Sequence, residues 1–155
     1  MLSKSFTLTE TIIAIFILIT GILVIFSLIS YFMTASLISS QRLIAAYLAQ
    51  EGIEIVRNLR DKNMLSSRNW DEGLNTGDYQ ADYNDDTLSS YTGAFLNLET
   101  GSGFYGYGPG TPTSFVRRIH LQKSGDVLKI LVEVSWRERG RWNSFSVQEN
   151  LYNWR

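Results

Sequence analysis

The stretch TIIAIFILITGILVIFSLISYFMTASLISSQ, from Thr11 to Gln41, holds no Asp, Glu, Lys or Arg. A membrane-spanning helix needs about 20 predominantly apolar residues, and this run has roughly 30. Its centre, Ile12 to Ile19 and then Ile22 to Phe26, sets Ile, Leu and Phe on every side of a helix and not along one stripe. A helix that is apolar all round faces lipid or lies deep in protein. A secretory signal is the competing reading, with Thr34-Ala35-Ser36 as a small-residue cleavage site. The apolar region of such a signal extends over only about 7–15 residues, which this run exceeds. The run therefore predicts one membrane-crossing helix.

Beyond the run, Gln41 to Glu51 is rich in good helix formers, and the pattern changes from all-round apolar to one-sided. Ile44, Leu48, Gly52, Ile55 and Leu59 recur at helical spacing, with Ala45, Ala49 and Val56 widening the stripe. Glu51, Glu54, Asn58 and Asp61 fall largely on other faces. Gly52 costs a helix about 1 kcal/mol relative to Ala, which the close approach of a packed sheet explains. One long helix is expected, with a first half made for lipid or a helical bundle and an amphipathic second half over residues 41–60.

From Asp61 to Thr113 the periodicity dissolves into Gly, Ser, Thr, Asn and Asp, with recurrent aromatics such as Trp70, Tyr79, Tyr91 and Phe104. Short strands are expected at Gly93–Glu99 and Gly103–Tyr107, inside a region 61–114 that is otherwise loop. The aromatics imply that this region packs on something. The remaining residues, 115–155, predict three strands. They are Phe115 to Leu121, Val127 to Arg137, and Trp142 to about Tyr152. In the second, Leu128, Ile130, Val132, Val134 and Trp136 alternate on one face. In the third, Phe145, Val147 and Leu151 share a face. Ser124-Gly125-Asp126 and Glu138-Arg139-Gly140-Arg141 are the turns between them. An antiparallel meander with one apolar face needs a cover, and the amphipathic half of the helix supplies it. The expected fold class is α+β: a long N-terminal helix packed on a C-terminal antiparallel sheet.

On its N-terminal side the run meets Glu10. A carboxylate at the centre of a membrane helix costs about 2.5–3.5 kcal/mol, and less near an end. Glu10 therefore sits solvated in the headgroup layer or has a cationic partner. Ser5-Phe6-Thr7-Leu8-Thr9-Glu10, followed by such a run, resembles the start of a type IV pilin or a type II secretion pseudopilin. The resemblance implies that residues 1–5 are a leader removed by a prepilin peptidase between Ser5 and Phe6. It implies N-methylation of Phe6 and places Glu10 at the fifth mature position. There Glu10 meets the N-terminal amine of Phe6 on a neighbouring subunit, a charge-assisted contact in a medium of low dielectric.

The chain departs from the family pattern in four places. It has Ser5 where Gly usually precedes the cut, Thr9 where an apolar residue is usual, one basic leader residue (Lys4), and no proline kink in the run. The pilin-like organisation so implied is a leader over 1–5, an assembly helix over 6–40, an amphipathic helix over 41–60, a variable loop region over 61–114, and a three-stranded sheet over 115–155. The expected function is structural, as a minor pilin or pseudopilin in a type IV pilus or type II secretion-like filament. The implied partners are the prepilin peptidase, other pilin subunits with their assembly machinery, and membrane lipid before assembly. The expected orientation is a single pass with a cytoplasmic N-terminus.

Composition excludes much other chemistry. The 155 residues include no cysteine and one histidine, at a net charge of −1. Thiolate metal sites, cysteine nucleophiles and histidine-rich metal sites are absent, and His120 reads as a solvent-side strand residue. Gly101-Ser102-Gly103-Phe104-Tyr105-Gly106 matches a dinucleotide fingerprint in letters only, since Gly108-Pro109-Gly110-Thr111-Pro112 cannot open the required helix. Asp82, Asn84 and Asp86 alternate like calcium-loop ligands, but Thr87 and Gly93 stand where that loop needs Gly and a bidentate acid. They read as a solvated acidic turn. No catalysis, cofactor or metal is expected. Arg137, Arg139 and Arg141, flanked by Trp136 and Trp142, form a small basic-aromatic hairpin of the kind that contacts phosphates and bases. They carry the alternative function, a displayed binding module acting as adhesin or DNA receptor through this hairpin or the 61–114 loop.

Overall fold

The computed structural model describes residues 7–138 and 140–153. Among these residues one helix, α1 (Leu8–Leu65), precedes eight strands. The chain divides into two units, Met1–Gln41 and Arg42–Arg155, and α1 contributes residues to both.

In the first unit no residue between Leu8 and Gln41 is buried. Four hydroxyl groups within the apolar run, those of Thr11, Thr20, Ser30 and Thr34, are satisfied by the helix itself. Thr20 donates to the Phe16 carbonyl at 2.7 Å and Ser30 to the Phe26 carbonyl at 3.0 Å. Such bonds to the preceding turn remove the cost of carrying Ser and Thr into a medium without water. By length and composition α1 can cross a membrane.

The second unit is α+β. Strands β1 (Gly77–Gln80), β2 (Ser89–Ser90), β6 (Phe115–Ser124), β7 (Val127–Glu138) and β8 (Arg141–Tyr152) form one antiparallel sheet, ordered β2-β1-β6-β7-β8. Strands β3 (Asn97–Glu99), β4 (Tyr105–Gly106) and β5 (Gly110–Pro112) form a small second sheet, ordered β4-β3-β5. The long meander β6-β7-β8 lies where alternation predicts it. The sheet is wider than the expected three strands because β1 and β2, short and without an apolar alternation, join it from the loop region. β3 and β4 are shorter than the expected strands, and β5 arises in the Gly-Pro segment. Gly110 there admits no side chain, since a Cβ would lie 2.4 Å from the Leu98 carbonyl oxygen. The helix also continues past residue 60. Met64 is buried in its last turn, and Ser67 (φ 56°) then ends it.

Leu128, Ile130, Val132, Val134 and Trp136 are all buried under α1 residues Ala45, Leu48, Ala49, Ile53 and Val56. Each fully buried aliphatic side chain contributes about 1.5–3 kcal/mol. A half-exposed ion pair such as Arg57 on Glu149, at 2.7 Å, contributes about 1 kcal/mol or less. The apolar stripe therefore holds helix to sheet, and the ion pairs trim its register.

Gly52 is the point of closest approach. A Cβ there would lie 2.8 and 3.2 Å from the two Val132 methyl carbons and 3.4 Å from Arg117 Cδ. Gly52→Ala should gain about 1 kcal/mol of helix propensity and lose about 1–3 kcal/mol to overpacking, a net destabilisation seen as a lower thermal midpoint. In a Val132→Ala background the same substitution should become neutral or stabilising, and purely additive midpoints would refute this steric account.

Candidate functional site

The first candidate region is the start of α1. Thr7 precedes the helix, and its hydroxyl oxygen accepts the Glu10 backbone N–H at 3.3 Å. Thr7 is thus the N-cap, and Glu10 occupies the third helical position, the spacing of a capping box. The positive end of the helix dipole also favours an acid there. Glu10 has a local reason to be where it is, and sequence reasoning did not identify this cap. The signal for it, Thr-x-x-Glu ahead of an apolar run, was present. The processing residues Ser5 and Phe6 lie outside the described residues.

The second candidate is the β7–β8 hairpin. Trp136 is 2% exposed and packs at 6.1 Å from Phe115, so it belongs to the core and not to a surface patch. The register pairs Arg137 with Trp142 and Glu138 with Arg141. Adjacent pairs in a ladder face opposite ways, so Arg137 and Trp142 share one face while Arg141 stands on the other beside an acid. Arg139 lies outside the described residues. Trp142 is 58% exposed, and its ring is stacked with Phe95, centroids 6.5 Å apart. The described part of the hairpin is therefore one Arg–Trp pair and not a row of cations.

The acidic turn does not converge. Asp82 accepts the Tyr107 backbone N–H at 2.8 Å, whereas Asp86 accepts from Lys62 Nζ at 2.6 Å. Among the described residues no three His, Cys, Asp or Glu side chains are grouped to hold a metal. The Gly101–Gly106 segment runs into β4, and no helix follows it. His120 is partly exposed on β6, with Nδ1 at 2.9 Å from Asp78 Oδ1.

A buried charge not foreseen from the sequence is Arg117 on β6, 0% exposed. Its Nη1 donates to Glu51 at 2.8 Å and to the Leu48 carbonyl at 3.3 Å, and its Nη2 donates to the Ala81 carbonyl at 2.6 Å. A buried guanidinium is tolerated only when paired and hydrogen-bonded in this way. The side chain ties α1, β6 and the segment after β1 together. It is a structural clasp. In sequence, Arg117 was hidden because it interrupts the inward-facing set of Phe115, Ile119 and Leu121.

Near it, burial pushes the Asp82 carboxyl above its usual range. The Tyr107 N–H opposes this, Asp85 adds to it, Arg117 opposes it, and Glu99 adds to it. A carboxyl raised by folding adds stability below its unfolded pKa of about 4, and that contribution is lost as pH rises through the folded value. Asp82→Asn keeps an acceptor for Tyr107 and removes the charge. Its urea midpoint should exceed that of the parent at pH 7, and the two should converge as pH falls to about 4. A constant difference across that window would assign the effect to something other than the carboxyl.

Comparison of the chain with family models, with curated proteins and with solved structures finds no match in any of the three.

Proposed function

We propose that this chain is a structural subunit of a type IV pilus or type II secretion-like filament, of the minor pilin or pseudopilin kind. In this reading it is held in the cytoplasmic membrane by α1 and assembled through that helix. The observation that carries the reading is the run from Leu8 to Gln41, in which no residue is buried although no charge interrupts it after Glu10. Lipid covers such a surface before assembly, and the equivalent helices of other subunits cover it afterwards. The resemblance of Ser5 to Glu10 to a prepilin processing motif supplies the second support. It makes Phe6 the mature N-terminus, and the Phe6 amine of a neighbouring subunit the partner of Glu10. The unit from Arg42 onward would then lie outside the cytoplasm.

Glu10 has two roles to separate, the local cap and the docking charge. Gln serves as well as Glu at the third position of a capping box. Glu10→Gln therefore keeps the helix start while deleting the charge. Cells producing this variant should insert the protein into membrane at the parental level and shed at least tenfold less filament. Mass spectrometry of the assembled parent should find Phe6, methylated, at the N-terminus. Unchanged filament yield from Glu10→Gln would overturn the docking role of Glu10, an intact Met1 in the filament would overturn the processing, and a parent that inserts into membrane without forming filament would be a simple membrane-tethered protein.

A further inference from the structure

The outer face of the five-stranded sheet ends in a hollow that the filament reading does not use. Strand register sets Gln122 opposite Lys129 and Lys129 opposite Asn150, one row across β6, β7 and β8. The next row is Ser124, Val127 and Tyr152. Gln122, Ser124, Val127, Lys129 and Asn150 line a hollow of about 370 Å³, a size within the range of about 300–1,000 Å³ common to ligand sites. At the β1–β6–β7 centre of this face the charged side chains are engaged. Arg118 donates to Glu133 at 2.6 Å, and His120 meets Asp78. Around the hollow the polar side chains are not: among the described residues, the side chains of Gln122, Ser124, Lys129 and Asn150 make no hydrogen bond or ion pair.

That set specifies a chemistry. Two amides and a hydroxyl both donate and accept, as a ligand rich in hydroxyl groups requires, while an ammonium only donates. No carboxylate lines the hollow, so Lys129 has no anion there within the protein. Tyr152, 55% exposed, stands on the same face at the border and offers a ring to an apolar surface. From Asn150 the outer row of β8 continues as Gln148, Ser146 and Ser144 to Trp142, all exposed and uncharged. At about 3.3 Å per residue, this track from Tyr152 to Trp142 is about 33 Å long. Two cations stand on this face, Lys129 at the hollow and Arg137 opposite Trp142 at the far end of the track, eight residues or about 26 Å apart along β7; so sparse a charge does not suit nucleic acid, which carries a charge on every nucleotide. It suits a polymer of sugars in which some units are acidic.

We propose that this face binds a uronic-acid-containing polysaccharide. An acidic sugar sits in the hollow with its carboxylate on Lys129, its hydroxyls on Gln122, Ser124 and Asn150, and its ring face against Tyr152, and the chain continues along β8. The proposal does not depend on whether the protein polymerises.

The test is retention of the full chain, in detergent micelles, on immobilised hyaluronan, with dextran and double-stranded DNA as parallel matrices. Hyaluronan should retain the protein saturably and better than either control. Lys129→Gln should weaken binding about tenfold, the usual size of a lost hydrogen bond to a charged group. Asn150→Ala and Tyr152→Ala should each weaken it several-fold. All three positions are exposed, and unchanged circular dichroism would verify that the variants are folded. Arg68→Gln, an exposed cation away from this face, should bind as the parent does. Absence of retention on hyaluronan, retention indifferent to Lys129→Gln, or DNA retained as well as hyaluronan would each overturn the proposal.

Discussion

An apolar helical surface that its own chain leaves uncovered is the constraint on which the first unit depends. Every side chain from Leu8 to Gln41 is at least partly open to its surroundings, and no charge falls between Glu10 and Arg42. Water is a poor medium for such a surface, so the hydrophobic effect demands a second apolar phase. The backbone accepts that phase because helical bonding satisfies its own polar groups. The hydroxyls of Thr20 and Ser30 accept it because they bond back to the preceding turn. At the helix start the Thr7 hydroxyl accepts the Glu10 backbone N–H and so caps one of the exposed N–H groups.

The second unit solves a different problem, that of seating a helix on a twisted sheet with no gap. Gly52 lets the backbone approach Val132, and the space beside it is filled by the Arg117 side chain. The guanidinium then needs acceptors and finds one on each element it touches: Glu51 and the Leu48 carbonyl on α1, and the Ala81 carbonyl after β1. Glycine and arginine are thus complementary halves of one packing solution. A larger residue at 52 would displace Val132 and crowd Arg117 together. Replacing Arg117 by an apolar residue would leave Glu51 without its cation.

What could be read from the sequence follows from periodicity. The helix and the strands β6, β7 and β8 have long, regular apolar patterns, and their positions agree with alternation to within a few residues. Strands β1 to β5 are two to four residues long, too short for any period to register, and they exist because neighbouring segments supply ladder partners. Sites were less legible than elements. Trp136 and Trp142 look alike as flanks of an arginine-rich turn, yet the pleat sends one into the core and leaves the other exposed. Pairing of Arg137 with Trp142 and of Glu138 with Arg141 divides the charges between two faces, which spacing alone does not resolve without the register.

The two faces of the sheet therefore carry different kinds of information. The inner face is closely packed: its apolar side chains meet α1, and the Arg117 guanidinium has three acceptors, while Arg117 Nε and the Trp136 indole N–H are buried without one. Nothing further can bind there without unfolding the unit. The outer face is only partly saturated. At the β1–β6–β7 centre its charged groups are paired, and along β8 and at the β6–β7 turn its amides and hydroxyls are free among the described residues, as are Lys129 and Arg137 on β7. Side chains that neither pack nor pair add nothing to the stability of the chain that carries them. A surface that concentrates them in one hollow, beside an exposed tyrosine and at the end of the uncharged outer row of β8, is where recognition is to be sought in the second unit. The first unit offers instead an apolar helix able to cross a membrane.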